Sequence, residues 1–286
     1  MKVTNSVKIN RSSNEEDMGT ELVLMGKSKL DSSFKIPDDI RLNIFSYLKL
    51  SDLGRCFQVS REWSQFIGSS SLMKRAIYEE KAHSTKIWEN RFGIDATRGE
   101  DKEKEFASLP SNIYEILKGR CPMSSSEERV GETHELMRIP KTMNGEPVTL
   151  KSFGHFIKPM FPHSNTGYEG QSFNNLGDTP VRKSYWVLVR NGQVSEEDMN
   201  TKLSPQYGYE ALRMIEAVIC ISASLIKLEV DITDSVHVRV GTRCQEIIPY
   251  WSPRSYYGIN KISSYGIGIA STISCSDLAI APTKKI

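Results

Sequence analysis

Residues 36–67 constrain the fold of this chain more than any other segment, because their apolar side chains recur at helical spacing. In the first part of the segment these side chains repeat every four positions with one aromatic neighbour: Ile36, Ile40, Ile44, Leu48 and Phe45. That spacing predicts a single apolar face on a helix of roughly three turns. Pro37 suits the first turn of such a helix, where a missing N–H costs nothing. Asp38 and Asp39 place negative charge at its positive end.

Two further short helices are predicted in the rest of the segment. Residues 50–52 offer a break and an N-cap, and Ser60 offers the next N-cap. The second helix has apolar residues at i, i+3 and i+4, namely Leu53, Cys56 and Phe57. The third is expected to bury Trp63, Phe66 and Ile67. Three helices of this size lie near the lower limit for independent folding. We therefore expect a partner to cover the apolar surface that their small core cannot bury.

The landmarks of this segment resemble an F-box, the helical module that ties a protein to the Skp adaptor of a cullin-RING ubiquitin ligase. They are Ile36-Pro37, Ile40, Ile44-Phe45, Leu48, Asp52-Leu53, Val59-Ser60 and Trp63. The departures are small, with Ile36 where Leu is usual and Asp39 where Glu is common. The resemblance implies that the adaptor would be bound by Ile36, Pro37, Ile40, Ile44, Phe45, Leu48, Leu53, Val59 and Trp63.

Two other interpretations of the three helices remain open at this point. One is an ordinary three-helix bundle without a partner. The other is a helix-turn-helix DNA reader, which needs a basic face to bind phosphates. Charge argues against DNA, because residues 36–67 contain four basic and four acidic side chains. These are Arg41, Lys49, Arg55 and Arg61 against Asp38, Asp39, Asp52 and Glu62.

Composition is that of an ordinary protein with a core of its own. With 38% hydrophobic and 25% charged residues and a net charge of +2, the chain shows no bias towards nucleic acid or a membrane surface. The longest apolar run, residues 217–226, is too short to span a bilayer. Residues 1–20 lack the apolar segment of a secretory signal. Five widely spaced cysteines suggest no disulfide framework, so we expect a reducing, cytoplasmic compartment.

The domain organisation follows from changes in pattern along the chain. Residues 1–34 are polar and aperiodic, and we expect them to be disordered. We assign the F-box to residues 35–80 and a helical, charged connector to residues 81–130. An α+β domain is expected over residues 131–275, with a tail at residues 276–286. The predicted fold class is thus α+β, a three-helix F-box followed by helices and a separate mixed domain.

The α+β assignment depends on a mixture of strand and helix signals without strict alternation. Strands are predicted over residues 135–139, 184–190 and 235–240, and a hairpin within residues 254–272. Asn144-Gly145 predicts a tight turn. Thr149 is predicted to cap a helix carrying Leu150, Phe153, Phe156 and Ile157. Another helix is predicted over residues 209–225.

The order of motifs beyond the F-box is similar to an F-box-like family of intracellular chlamydia-like bacteria. The motifs are LPSNIYEILKGRCP, THELMRIPKTMNGEPVTLKSFG, SYWVLVR and TRCQE. The resemblance implies a bacterial effector that works in a eukaryotic host cytosol, delivered there without a Sec signal. It implies no role for particular residues of the second half.

No metal, cofactor or catalytic site is expected. The cysteines and histidines lack the close, repeated spacing of metal ligands. Gly266 and Gly268 lack the strand-to-helix context of a nucleotide fingerprint. The alternative is a C-terminal thiol enzyme tethered by the F-box, with Cys121 as nucleophile and His134 or His155 as base. Cys220 stands in an apolar run and is expected in the core.

An aromatic group near the C-terminus is the predicted target contact, because exposed Trp, Tyr and Arg side chains often dominate binding. It comprises Tyr250, Trp251, Arg254 and Tyr256. The alternative is that these side chains belong to a sheet core. We therefore expect a non-catalytic adaptor that binds the Skp adaptor, and through it cullin, while the second domain captures a protein target. A third possibility is an F-box-like protein that binds the adaptor without building a ligase.

Overall fold

The computed structural model describes most of the chain from Ile36 to Ile286 and divides it into two units, residues 1–44 and 45–286. The described residues are 36–69, 71–96, 102–124, 127–169, 177–191, 208–229, 238–247, 256–272, 279–280 and 282–286. The disorder predicted for residues 1–34 falls outside them.

The described part of the first unit is the start of helix α1 (Asp38–Ser46). The helix begins at Asp38, so Pro37 lies one residue before the first turn in which it was expected. Arg41 ties this end of the helix to the residue before Pro37, since its Nε donates to the carbonyl oxygen of Ile36 at 2.8 Å. Its amide N also donates to the carbonyl of Pro37 at 3.0 Å. The observed helix is shorter than the roughly three turns predicted, because it ends at Ser46, before Leu48.

The second unit opens with three short helices, α2 (Leu50–Val59), α3 (Arg61–Ser69) and α4 (Leu72–Glu80). The predicted cap at Ser60 is confirmed, because its Oγ accepts from the amide N of Trp63 at 3.1 Å. The expected cap within residues 50–52 is wrong. Helix α2 already begins at Leu50, with its amide N donating to Oε1 of Glu80 at 2.6 Å.

The segment predicted as a connector is packed rather than merely exposed. It contains β1 (Ala82–His83) and the helices α5 (Lys86–Phe92), α6 (Lys102–Ala107) and α7 (Ile113–Lys118). Trp88 on α5 is buried in the largest core cluster, with its ring edge-on to Phe153 at 5.4 Å. Buried Glu105 on α6 accepts from the amide N of Thr85 at 3.1 Å and from the Thr85 hydroxyl, which ties α6 to the start of α5.

The remainder mixes helices and strands, so the α+β class is confirmed. It begins with α8 (Val130–Thr133), β2 (His134–Ile139), β3 (Thr142–Met143), β4 (Glu146–Pro147) and α9 (Leu150–Ile157). A short 3₁₀ turn (Lys158–Met160) leads to β5 (Tyr168–Glu169), β6 (Tyr185–Arg190), β7 (Glu210–Ala211) and α10 (Met214–Lys227). The last strands are β8 (Val238–Ile247), β9 (Tyr256–Ser263), β10 (Gly266–Thr272), β11 (Ala279–Ile280) and β12 (Pro282–Lys285).

These strands form two five-stranded mixed sheets and one small hairpin among the described residues. The sheet orders are β1-β2-β6-β12-β7 and β11-β8-β9-β10-β5. The hairpin of β3 and β4 turns at Asn144 and Gly145, both of which adopt positive φ, so the predicted turn is confirmed. Thr149 caps α9 as predicted, with its Oγ1 accepting from the amide N of Ser152 at 3.0 Å.

Helix α10 packs its apolar side chains into the main core, yet it starts at Met214, five residues later than predicted. Buried Glu216 accepts from the amide N and Nε of Arg213, both at 2.8 Å, and from the Tyr185 hydroxyl. The Nζ of Lys285 lies 3.7 Å from the same carboxylate. The buried carboxylate therefore links the start of α10 to β6 through a hydrogen bond and to β12 through charge pairing.

The described residues of the expected tail, 279–280 and 282–286, contribute one strand to each sheet: β11 pairs with β8 in the second sheet, and β12 lies inside the first. β12 pairs antiparallel with β6 on one side and with β7 on the other. The short, Lys-rich segment gave no strand signal of its own. Its position depends on backbone pairing with distant strands, which local periodicity does not encode.

Candidate adaptor-binding site and candidate catalytic residues

Large apolar side chains are exposed within a short stretch of the F-box segment. Among the described residues, eight large hydrophobic side chains are exposed, and six of them fall between positions 36 and 59. They are Ile36, Ile40, Leu42, Ile44, Tyr47 and Val59. In helix α1, Ile40 and Ile44 are 48% and 51% exposed and lie one turn apart, so they share a face.

Other members of the predicted adaptor-binding set lie inside the second unit. Phe45 and Leu53 are buried, and they belong to a cluster with Ile67 and Leu72. The ring of Phe45 meets the ring of Trp63 edge-on at 5.3 Å and that of Phe66 at 5.9 Å. Leu48 and Trp63 pack against this cluster and are partly buried. The first role of these four side chains, Phe45, Leu48, Leu53 and Trp63, is to hold the helices together.

The predicted set therefore divides by burial. Ile36, Pro37, Ile40, Ile44 and Val59 are exposed in the free chain, whereas Phe45 and Leu53 form the core. Their contact with an adaptor stays a prediction. Sequence reasoning did not select Leu42 and Tyr47, which are also exposed. Neither falls on the four-residue repeat, so periodicity alone offered no signal for them.

The predicted target contact falls mostly outside the described residues. Tyr250, Trp251 and Arg254 lie outside them. Tyr256 is the first residue of β9, where its backbone pairs with Thr272 and Ile247. Target binding by this group stays a prediction.

The proposed thiol nucleophile is buried. Cys121 is 1% exposed, and its amide N donates to the carbonyl of Glu128 at 2.8 Å. The phenol of Tyr209 lies within electrostatic reach of the thiol. Burial is the main cause that raises the pKa of Tyr209 to about 12, and electrostatic repulsion from Cys121 adds to it. Reactive cysteines usually lie in partly exposed surroundings, which this buried thiol lacks.

The proposed base, His134, is engaged by hydroxyl groups at both ring nitrogens. The Tyr209 hydroxyl lies 2.9 Å from its Nε2, and the Thr133 hydroxyl lies 2.9 Å from its Nδ1. Burial is the main cause that lowers the pKa of His134 to about 4, and the positive charge of Arg190 adds to it. His134 is therefore neutral near pH 7. The other proposed base, His155, is exposed on α9.

Cys220 lies in the main core, as predicted, on helix α10. Burial is the main cause that raises the pKa of its thiol, and the nearby carboxylates of Glu216 and Glu135 add to it. Across the described ranges, the structure brings together no group of three or more histidine, cysteine or acidic side chains suited to a metal ion. No helix in the described part of the chain has both the length and the hydrophobicity required to cross a bilayer.

Comparison with known proteins identifies the N-terminal module. Residues 34–78 match the F-box-like family, so the chain carries an F-box-like domain there. The match agrees with the segment predicted from its landmarks. It covers helices α1 to α3 and most of α4.

One relative extends the likeness beyond the module. The chain is 28% identical over 132 residues to an F-box/LRR-repeat protein 5 of Xenopus laevis, a match covering 45% of this chain and 18% of that protein. The matched region is therefore less than a fifth of the relative's length. No solved structure matches the chain. The likeness to the chlamydia-like bacterial family stays a prediction.

Proposed function

We propose that this protein is a substrate-recruiting subunit of a cullin-RING ubiquitin ligase of the SCF type. The F-box-like domain would bind a Skp adaptor, and the α+β region would hold a target protein. The protein would act without catalysis of its own, in the cytoplasm, with ubiquitin transfer carried out by its partners. The motif order of the second half supports a bacterial effector acting in a host cell as a further part of the proposal.

The observation that carries the proposal is the apolar exposure within the matched module. Isoleucine side chains left half exposed in water favour association, at roughly 25 cal/mol for each Å² of apolar surface covered. Monomeric proteins seldom expose several such residues in one short segment without a binding role. Ile40 and Ile44 share one face of α1, and their neighbours Asp38 and Asp39 keep the start of the helix polar.

A recruiting role also fits the absence of an accessible nucleophile at the candidate thiol. The contribution of such a protein is positioning, because holding a target beside a charged enzyme raises the effective concentration of its lysines. The chemistry then depends on partners and needs no reactive group from this chain.

The test is binding to purified Skp adaptor, measured by calorimetry or by pulldown. The double variant Ile40→Ala/Ile44→Ala removes exposed side chains and should leave the fold intact. We expect it to weaken binding by about thirtyfold, or about 2 kcal/mol. The matched control is Leu228→Ala/Tyr265→Ala, which removes large side chains that are 70% and 55% exposed outside the module. This control should bind as the unaltered chain does.

Two results would refute parts of the proposal. If the folded, unaltered chain does not bind the adaptor, the module is an ordinary helical bundle. If adaptor binds but cullin is never recovered with it, the chain is an adaptor binder that builds no ligase.

A further inference from the structure

A cavity of about 300 Å³ lies in the second unit where helices α2, α4, α7 and α8 meet strand β2. Its size is at the lower end of the range for small-molecule sites. It joins Leu50 and Ile77 of the F-box-like domain to residues of the α+β region. None of the exposed isoleucines of α1 is among its lining residues.

The inner wall of the cavity is apolar. Ile77, Leu117 and Leu136 are all buried members of one core cluster, and all three line the cavity. Tyr114 lines it beside them and is partly buried, with its ring 5.5 Å from that of Phe57. A wall of this kind favours an apolar group of a ligand over water.

Cationic side chains surround this wall. Four basic residues line the cavity against two carboxylates, and the basic ones are Lys81, Lys118, Arg129 and Lys227. Of these, only Lys227 has a carboxylate partner among the described residues, with its Nζ 3.8 Å from Oε1 of Glu135. Lys118 instead lies over the ring of Tyr114, 5.7 Å from its centre.

The two carboxylates at the cavity offset only two of its four positive charges. Glu132, one of the two carboxylates, accepts from the amide N of Arg129 at 2.8 Å and so caps helix α8. His134 also lines the cavity, but its ring is neutral near pH 7 and is held by two hydroxyl groups. The cavity therefore combines an apolar wall with an excess of positive charge.

We propose that this cavity binds a small carboxylate that carries an apolar group. The apolar group would lie against Ile77, Leu117 and Leu136. The carboxylate would face the cations of Lys81, Lys118 and Arg129, forming charge-assisted hydrogen bonds with them. The proposal does not depend on adaptor binding, and it can hold or fail independently of it.

The test is calorimetric titration of the full chain with octanoate as the probe. Its matched ligands are octanamide, which keeps the tail and lacks the charge, and acetate, which keeps the charge and lacks the tail. We expect saturable octanoate binding with a dissociation constant on the order of 1 mM or tighter. We expect octanamide to bind at least about fivefold more weakly, because it lacks the charge-assisted hydrogen bonds. Acetate should bind at least about tenfold more weakly, since it covers no apolar wall.

The matched protein variants are Lys81→Gln/Lys118→Gln and Lys141→Gln/Lys158→Gln. All four lysines are exposed, and both pairs change the net charge equally, but only the first pair lines the cavity. The first variant should weaken octanoate binding about fivefold or more, a value that allows for solvent screening of exposed charges. It should change octanamide binding less than about twofold, and the control variant should keep the affinity for octanoate.

Several results would overturn the proposal. They are no saturable octanoate binding, equal affinity for octanoate and octanamide, or equal affinity for octanoate and acetate. An equal loss of octanoate affinity in both lysine variants would also overturn it, because the effect would then follow net charge rather than this cavity.

Discussion

Replacing Phe45 by alanine tests the division of the F-box-like segment into core and surface. The Phe45 side chain is 5% exposed and packs edge-on against Trp63 at 5.3 Å and against Phe66 at 5.9 Å. Removing a buried phenyl ring loses its transfer free energy and leaves a cavity, which costs about 3–5 kcal/mol in well-packed cores. The three-helix cluster around it is small, so we expect a cost near the lower end of that range, about 3 kcal/mol.

The matched control is Ile44→Ala, one residue earlier in the same helix. Ile44 is 51% exposed, and surface substitutions of this kind usually change stability by less than about 0.5 kcal/mol. The assay is urea unfolding followed by tryptophan fluorescence, with Trp63 as a reporter inside the cluster. An equal shift of the unfolding midpoint for the two variants, or no shift for Phe45→Ala, would refute the assignment of core and surface.

Two further changes test the packing of the second unit. Gly154→Ala would place a Cβ 2.4 Å from the carbonyl oxygen of Thr166 and from the ring of Tyr168, so we expect a loss of at least about 1–3 kcal/mol in urea unfolding. Gly54→Ala, in α2 with open space around it, should instead stabilise by about 0.5–1 kcal/mol, and the opposite order would contradict this packing. For His134, the folded pKa lies below the ordinary value of 6.5, so its stabilising contribution is present above about pH 6.5 and is lost as the pH falls towards 4. We therefore compare the unfolding free energies of the unaltered chain and of the His134→Gln variant. The difference between them should fall by on the order of 1–2 kcal/mol from pH 7 to pH 5. A difference that does not change with pH would contradict the burial of His134.

Elements with short-range signals were predicted well. The cap at Ser60, the turn at Asn144-Gly145 and the cap at Thr149 each depend on groups within four residues of one another. All the groups that form such a cap or turn lie within a short stretch of chain, so the local sequence is enough to predict it. The two helices that follow α1 in the F-box segment, α2 and α3, were also predicted in type, although the start of α2 was misplaced by the apparent cap at residues 50–52.

The sequence pattern did not separate the exposed members of the predicted adaptor-binding set from the buried ones, and the reason is physical. Periodicity groups apolar residues on a helix face, but it does not say whether that face meets the protein core or water. Phe45 and Ile44 are adjacent apolar residues of one helix, and their burial differs from 5% to 51%. That difference depends on Trp63 and Phe66, which belong to another helix.

Local chemistry thus determined the F-box-like landmarks, the caps, the turn and the α+β class. Tertiary structure alone decided the place of β12 between β6 and β7 and the packing of Trp88 in a segment expected to be a connector. It also assembled the cavity that Ile77, Leu117 and Leu136 line with cations from separate elements. These features depend on contacts between residues far apart in the chain, and the free energy of such contacts comes from burial and pairing that no short window of sequence contains.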